Sequence, residues 1–237
     1  MKLFCFPHAG GFSPYYGFLR KHEYQYLDKI LLFDYPRKSF TFNGSPADFQ
    51  QYVDAAVAFI KANKAENEPY MLFGHSMGAF TACEAGIAMQ NKYGDAPAGV
   101  IASGQNPPYS VTLGKLQEMP SDLYEFAKRL GGVPQKILDN KQMCEKLYRF
   151  AEADMKAVSM YRPTPVCGNE RLEYGMLLCG ADDFIVDRAY QSHWDKTFRH
   201  IFLDKVLPGE HFYFNNHQDE IASLIDSFAE ARSKETA

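Results

Sequence analysis

A serine stands between two glycines in Gly74-His75-Ser76-Met77-Gly78, directly after the apolar run Tyr70–Phe73 and before a stretch rich in small residues. This is the spacing G-x-S-x-G, and one kind of chemistry requires it. A nucleophile projected from a sharp strand-to-helix turn takes a strained backbone conformation. The turn also presses the residues two places away on either side against neighbouring chain, so both must be glycine. A helix beginning at Met77 would aim its unsatisfied N–H groups and positive end at the reacting centre. The competing reading is a serine that merely caps a helix. The partners found elsewhere in the chain favour the nucleophile.

A serine hydroxyl at its own pKa is a poor nucleophile and needs an adjacent base. The chain offers seven histidines. His211 lies in "VLPGEHFYF", where Pro208-Gly209 forces a loop after an apolar run, and the order Ser…Asp…His points to it, with His217 as rival. His22, His193 and His200 read as ordinary hydrogen-bonded residues, while His8 and His75 sit beside the proposed site loops. The acid that fixes the histidine tautomer should end the preceding strand. There "MLLCGADDF" supplies Asp183, favoured by its Gly180-x-x-Asp spacing, with Asp182 as alternative and Asp187 just beyond. Whichever loses is a turn-forming aspartate. The developing oxyanion needs backbone donors: the N–H of Met77, and one from the "FPHAGG" loop, where His8, Ala9 and Gly10 are candidates.

Several other chemistries lack their residues. Neither G-x-G-x-x-G nor G-x-x-x-x-G-K-[ST] occurs, and H-E-x-x-H and paired Cys/His are missing, so no metal and no cofactor is expected. The five cysteines form no CxxC and are odd in number. Cys5, Cys83 and Cys179 lie in apolar or small-residue stretches, and all five, with Cys144 and Cys167, read as reduced thiols. A net charge of −4 with interspersed signs lacks the basic stripe that nucleic acid demands. No apolar run approaches the roughly 18–20 residues of a membrane helix, and "KLFCF" is too short for a signal peptide of roughly 7–15 apolar residues. The expectation is a cytoplasmic protein, monomeric by default, with neither membrane nor nucleic acid as partner.

These residues need elements to hold them. Apolar runs at 2–6, 30–35, 70–74, 98–103, 175–180 and 200–206 read as strands. Helical spacing appears at 47–62 after Ser45-Pro46, at 77–92, around 187–197 and at 217–231. Strands alternating with helices imply an α/β fold, a mostly parallel sheet with helices on both faces. Residues 112–162 break the alternation and contain only helical patterns, one capped by Ser121 and ended by Gly131-Gly132, another over 140–160. The reading is a core of residues 1–111 and 163–237 with a helical cap, 112–162, over the carboxyl edge of the sheet, where such sheets bind ligands. Apolar residues make up 46% and aromatics 15% of the chain, enough for a large core and an apolar cavity beneath the cap. Leu123, Phe126 and Leu130 are expected to face that cavity, or equally to pack the cap onto the body.

Four motifs in order, "FPHAGG", "GHSMGA", "GADD" followed by Trp194, and "PGEHFYF", resemble the type II thioesterases. These are the stand-alone editing enzymes of non-ribosomal peptide and polyketide assembly lines, built on the α/β-hydrolase fold. The resemblance covers nearly the whole chain, and "YEFAKRLGGVPQKIL" resembles that family's lid. It implies hydrolysis of stalled or aberrant acyl groups from the phosphopantetheine arm of carrier proteins, with no further cofactor. It also implies Ser76 as nucleophile, His211 as base, Asp183 as orienter, and the N–H groups of Met77 and Ala9 as oxyanion donors. The chain departs from the family at "YPRKSF", where a Pro-Gly-Arg-Gly-type loop is usual, and at Glu210, where a second glycine is usual. Arg20, Lys21, Arg37 and Lys38 could dock an acidic carrier, or be plain solvated charges. An ester hydrolase or lipase, an acyltransferase, and a non-catalytic binding module on the same fold are the alternatives.

Overall fold

The computed structural model describes residues 1–36, 48–110, 133 and 139–235. Six strands form one sheet: β1 (Lys2–Phe6), β2 (Lys29–Leu32), β3 (Tyr70–His75), β4 (Gly99–Ser103), β5 (Leu172–Gly180) and β6 (Phe198–Leu207). Their order is β2-β1-β3-β4-β5-β6, and every neighbouring pair is parallel. Among the described residues, four α-helices accompany them: α1 (Phe49–Asn63), α2 (Met77–Tyr93), α3 (Lys141–Met160) and α4 (Gln218–Glu235).

The period of two along each strand sorts side chains between two cores. In β1, Phe4 and Phe6 join the core that contains Tyr52 of α1, Phe80 of α2 and Val158 of α3. Leu3 and Cys5 face the other way, toward Ile225 and Phe228 of α4 and Tyr16 of the 3₁₀ segment Ser13–Lys21. Helices therefore cover both faces. In α2 nearly every residue from Met77 to Ile87 is buried, as a helix apolar on all sides must be. It ends at Gly94, whose φ of 65° lets the N–H groups of Gly94 and Asp95 return to Gln90 and Met89, a left-handed glycine cap.

Among the described residues the expected strands and helices are present, with three differences. Regular β2 stops at Leu32 rather than running to residue 35. Phe33 donates the last ladder bond to Cys5, and then the chain turns so that the buried Tyr35 hydroxyl reaches the Pro7 carbonyl at 3.1 Å. The helix expected around 187–197 is a 3₁₀ segment, Arg188–Lys196, begun by the Asp187 carboxylate accepting from Ala189 N–H at 3.0 Å. Asp48, not the Ser45-Pro46 pair, caps α1. Ser45 and Pro46 lie outside the described residues, as do Arg37, Lys38, the helix expected after Ser121, and Leu123, Phe126 and Leu130.

Of the expected cap, α3 is described. Asn140 caps it by accepting from Met143 N–H. The helix starts exposed at Met143 and sinks as it proceeds, until Asp154 and Ala157 are fully buried. Beyond its end, the Glu84 carboxylate of α2 accepts from Tyr161 Oη at 2.6 Å and from the hydroxyl and N–H of Thr164 at 2.6 and 3.1 Å. The returning limb is thereby tied to the body. Among the described residues no helix is long and apolar enough to cross a membrane.

The sheet reverses its winding between β1 and β3: β2 lies on one side of β1, and β3 and all later strands on the other. Ligands of open parallel sheets bind outside the carboxyl ends of the strands at such a switch point. Here those ends lead into the His8–Gly11 loop and into Ser76.

Candidate active site

Ser76 occupies the step from β3 to α2 with φ 56° and ψ −121°. For a residue with a side chain this costs on the order of 1–3 kcal/mol, a cost that persists only where the surroundings enforce it. They do. Ser76 N–H donates to the Ser103 carbonyl at 2.8 Å, and the Ser76 carbonyl accepts from Ala79 N–H at 2.9 Å. A Cβ on Gly74 would lie 1.9 Å from the Gly78 carbonyl oxygen, and one on Gly78 would lie 2.0 Å from that of Phe6. Both flanking glycines are thus obligatory for the reason their spacing implied.

His211 and Asp183 meet: Nδ1 of the first is 2.8 Å from Oδ2 of the second, with both side chains buried. The other carboxylate oxygen accepts from Ile185 N–H at 2.9 Å. Asp182 is exposed and uses its N–H on the Gly209 carbonyl, and Asp187 is an exposed cap. His217 lies apart, its Nε2 against the Pro208 carbonyl at 3.1 Å. Two features that sequence reading missed hold the Asp183 turn against the His211 loop. A Cβ on Gly180 would lie 2.3 Å from the Glu210 carbonyl oxygen, so only glycine permits this approach. The buried Asn106 side chain donates to Ile185 carbonyl at 2.6 Å and accepts from Asp187 N–H at 2.7 Å. No short motif marks either. The Glu210 side chain itself is exposed.

Of the three N–H groups proposed in the first loop, two are engaged. His8 N–H donates to Tyr16 Oη at 3.2 Å, and Gly10 N–H to Asp154 Oδ2 at 2.7 Å. Gly11 N–H closes a turn onto the His8 carbonyl. The Ala9 N–H alone in this turn has no acceptor among the described residues. The N–H of Met77, first residue of α2, has none within its helix. Ala9, Met77, Ser76 and His211 all line one cavity, whose walls are otherwise largely apolar, with Tyr15 and Phe212 on one side and Leu147, Met155 and Val158 of α3 on another.

Beneath this set lies His75, fully buried, its ring 4.7 Å from that of His211. Its Nδ1 is 2.9 Å from Ser103 Oγ, which in turn is 2.6 Å from Tyr213 Oη, while its Nε2 has no partner among the described residues. Burial, aided by the neighbouring His211 and His8, holds the His75 pKa well below the usual histidine value. The folded protein therefore keeps this ring neutral where the unfolded chain, with a pKa of about 6.5, would take up a proton. Stability from this group is present above that pH and is lost as pH falls, at up to about 1.4 kcal/mol per pH unit. Denaturation midpoints at pH 7.5 and 5.5 test this: wild type should lose more stability between them than His75→Gln, and equal losses would refute it.

Thiol chemistry finds no support. Cys5 and Cys83 are buried, and burial pushes both thiols up, away from the reactive thiolate. Trp194 packs in the core, stacked on Phe198. Arg20, weighed as a docking residue, gives its Nε to the Ile30 carbonyl in the first half of β2, at the edge of the sheet opposite the cavity. Among the described residues no group of His, Cys, Asp and Glu could hold a metal ion.

Comparison with known proteins now adds to this geometry. Linear gramicidin dehydrogenase LgrE of Brevibacillus parabrevis is 26% identical over 167 residues, covering 68% of this chain and 62% of that one. The medium-chain S-acyl fatty acid synthase thioesterase of Anas platyrhynchos is 28% identical over 235 residues, covering 92% and 87%. The chain spans less than two thirds of the length of the first curated relatives it matches. The crystal structure of ClbQ from the colibactin NRPS/PKS pathway superposes with a TM-score of 0.81 at 20% identity, covering 98% of each chain. The fold shared with it is that of the α/β-hydrolases. The model of the thioesterase domain matches residues 1–229, and with a serine elbow, a buried Asp–His pair and free backbone donors on one cavity wall, this chain belongs to the thioesterase domain family.

Proposed function

We propose that the chain is a type II thioesterase. It hydrolyses stalled or aberrant acyl thioesters from the phosphopantetheine arm of carrier domains in a peptide or polyketide assembly line. The observation that carries this reading is the shared cavity of Ser76, held in a strained elbow, and the buried His211–Asp183 pair. Names among the relatives support the substrate class: a probable cadicidin biosynthesis thioesterase and thioesterase PikA5, both 26% identical over at least 228 residues.

With its Nδ1 committed to Asp183, His211 has Nε2 left to act as base toward Ser76, which lines the same cavity. Ser76 Oγ attacks the thioester carbonyl carbon and its proton passes to Nε2. The oxyanion is held by Met77 and Ala9 N–H, donors already in place before charge develops. The C–S bond then breaks, the imidazolium protonates the departing sulfur, and the acyl group remains on Ser76. A water molecule gives its proton to Nε2 and attacks the ester. Collapse of the second tetrahedral intermediate releases the acid, with the proton returned to Ser76. Each step balances with water as the sole co-reactant, so the proposed enzyme needs no cofactor. The apolar wall formed by α3 receives the acyl chain.

The test is a panel of acyl-loaded carrier proteins read by intact mass, alongside acyl-CoA and simple esters. Loss of the acyl mass with release of free acid, fastest on carriers, is the expected result. Faster turnover of simple esters would replace this reading with a small-molecule esterase. Acyl transfer to an added alcohol or amine would make the chain a transferase. No turnover, with Ser76 unlabelled by a fluorophosphonate, would leave only a binding module.

A further inference from the structure

The Asp154 side chain is fully buried in α3, yet it plays no part in the mechanism above. One carboxylate oxygen accepts from Gly10 N–H at 2.7 Å, across 144 residues of sequence, and the other from Tyr52 Oη at 2.7 Å. Gly10 is also pressed against the same helix one turn earlier. A Cβ on Gly10 would lie 2.9 Å from that of Ala151.

The peptide that Asp154 grips is a particular one. His8-Ala9-Gly10-Gly11 is a β-turn closed by Gly11 N–H onto the His8 carbonyl, with Gly10 at φ 75° in its third position and no positive φ at Ala9. That combination is a type II turn. Types I and II differ by a half-turn flip of the central peptide, here Ala9–Gly10, and glycine in third position removes the steric objection to either. In the observed orientation the Gly10 N–H points at Asp154 and the Ala9 carbonyl points away from α3. After a flip, the carbonyl oxygen would meet the Asp154 carboxylate and the Gly10 N–H would lose its acceptor, so the turn could no longer stay seated on α3.

We propose that Asp154 is a positioning residue of the acyl-transfer site: by holding Gly10 N–H it seats the His8–Gly11 turn on α3 and so fixes where the Ala9 N–H stands relative to the oxyanion. The oxyanion loop is thus set by the helix that also lines the acyl pocket, so pocket wall and oxyanion donor form one unit. The inference rests on the proposed role of Ser76 and on acyl chemistry, and is independent of whether the acyl group arrives on a carrier.

Steady-state hydrolysis of a soluble acyl thioester by Asp154→Ala and Asp154→Asn tests it. Binding of two analogues is measured on the same proteins. One is a trifluoromethyl ketone, which forms a tetrahedral oxyanion adduct on the serine, and the other a non-cleavable thioether, which does not. For Asp154→Ala, kcat should fall roughly 10- to 100-fold, toward the cost of losing one oxyanion donor, with KM little changed. Ketone affinity should fall by a similar factor while thioether affinity stays. Asp154→Asn keeps an acceptor for Gly10 N–H and should recover most of the loss. If Asp154→Ala fails to fold, the pair Tyr52→Phe with Asp154→Leu fills the space, removes carboxylate and hydroxyl together and takes the acceptor from Gly10 N–H, and it should show the same split. Unchanged kcat would overturn the inference, as would equal weakening of both analogues with no rescue by asparagine, since a merely structural residue gives that pattern. Wild-type turnover that vanishes in Ser76→Ala establishes the reading beneath, so a null effect at Asp154 then sinks this inference alone. An inactive wild type would sink both.

Discussion

Ser76→Ala is expected to lower kcat/KM for acyl thioesters by roughly 10⁴–10⁶-fold, because the acyl acceptor is gone while the donors and pocket remain. Near-normal turnover in this variant would place the nucleophile elsewhere. Stability separates this site from an ordinary serine more sharply still. Alanine keeps the Cβ and hence the cost of φ 56° and ψ −121°, so its denaturation midpoint should stay close to that of wild type. Ser76→Gly should be as inactive but more stable. Relief of about 1–3 kcal/mol of backbone strain outweighs the roughly 0.5–1 kcal/mol that glycine loses through the freedom of the unfolded chain. A net gain of about 1 kcal/mol in chemical denaturation is the expected result. A serine that merely capped a helix would not become more stable when replaced by glycine.

The second large effect separates two adjacent aspartates. Asp183→Asn is expected to lower kcat by roughly 10⁴-fold, the cost of losing the orienting acid of a serine triad, while Asp182→Asn stays within about twofold because Asp182 is exposed. The reason lies in the two bonds Asp183 makes. Its Oδ1 accepts from Ile185 N–H, and an asparagine keeping that bond with its oxygen must turn its NH₂ toward His211 Nδ1. Nδ1 then becomes an acceptor and Nε2 carries the hydrogen, so the ring cannot take the serine proton. Proton NMR of the imidazole would show the tautomer change directly. If Asp182→Asn proved the damaging variant, the Asp183–His211 contact would not be the one that matters.

This pair also shows how far the sequence could be read. The glycines around Ser76, the loop position of His211 and the alternation of strands are local properties, and each is written in a short stretch. Asp182 and Asp183 are neighbours on one turn whose side chains leave in different directions. Which one faces inward depends on the contact of Gly180 with the Glu210 carbonyl, made across the sheet edge. The same holds for His8, Ala9 and Gly10. Tyr16, eight residues from His8, and Asp154, 144 residues from Gly10, engage two of the three N–H groups and leave the third. Asp154 itself reads in sequence as one more acid on a charged helix. The periodicity of α3 sets it on the face of Ala151 and Val158, away from exposed Glu152, but does not fix which N–H it meets. The 3₁₀ form of Arg188–Lys196 likewise follows from the Asp187 turn and the burial of Trp194 rather than from any spacing.

Because all six strands run in parallel, chemistry and connectivity are sorted to opposite ends of the molecule. The carboxyl ends carry Ser76, Asp183, His211 and the Ala9 turn. The amino ends are entered by turns such as Ala65–Asn67 and the approach to β4 at Ala96, exposed and free of any site residue. Strands of this length separate the two edges by roughly 17–20 Å. The amino edge is accordingly the place to attach a fluorophore, a surface tether or an inserted affinity module. A label there would report on the protein while leaving the reacting edge, and any carrier approaching it, undisturbed.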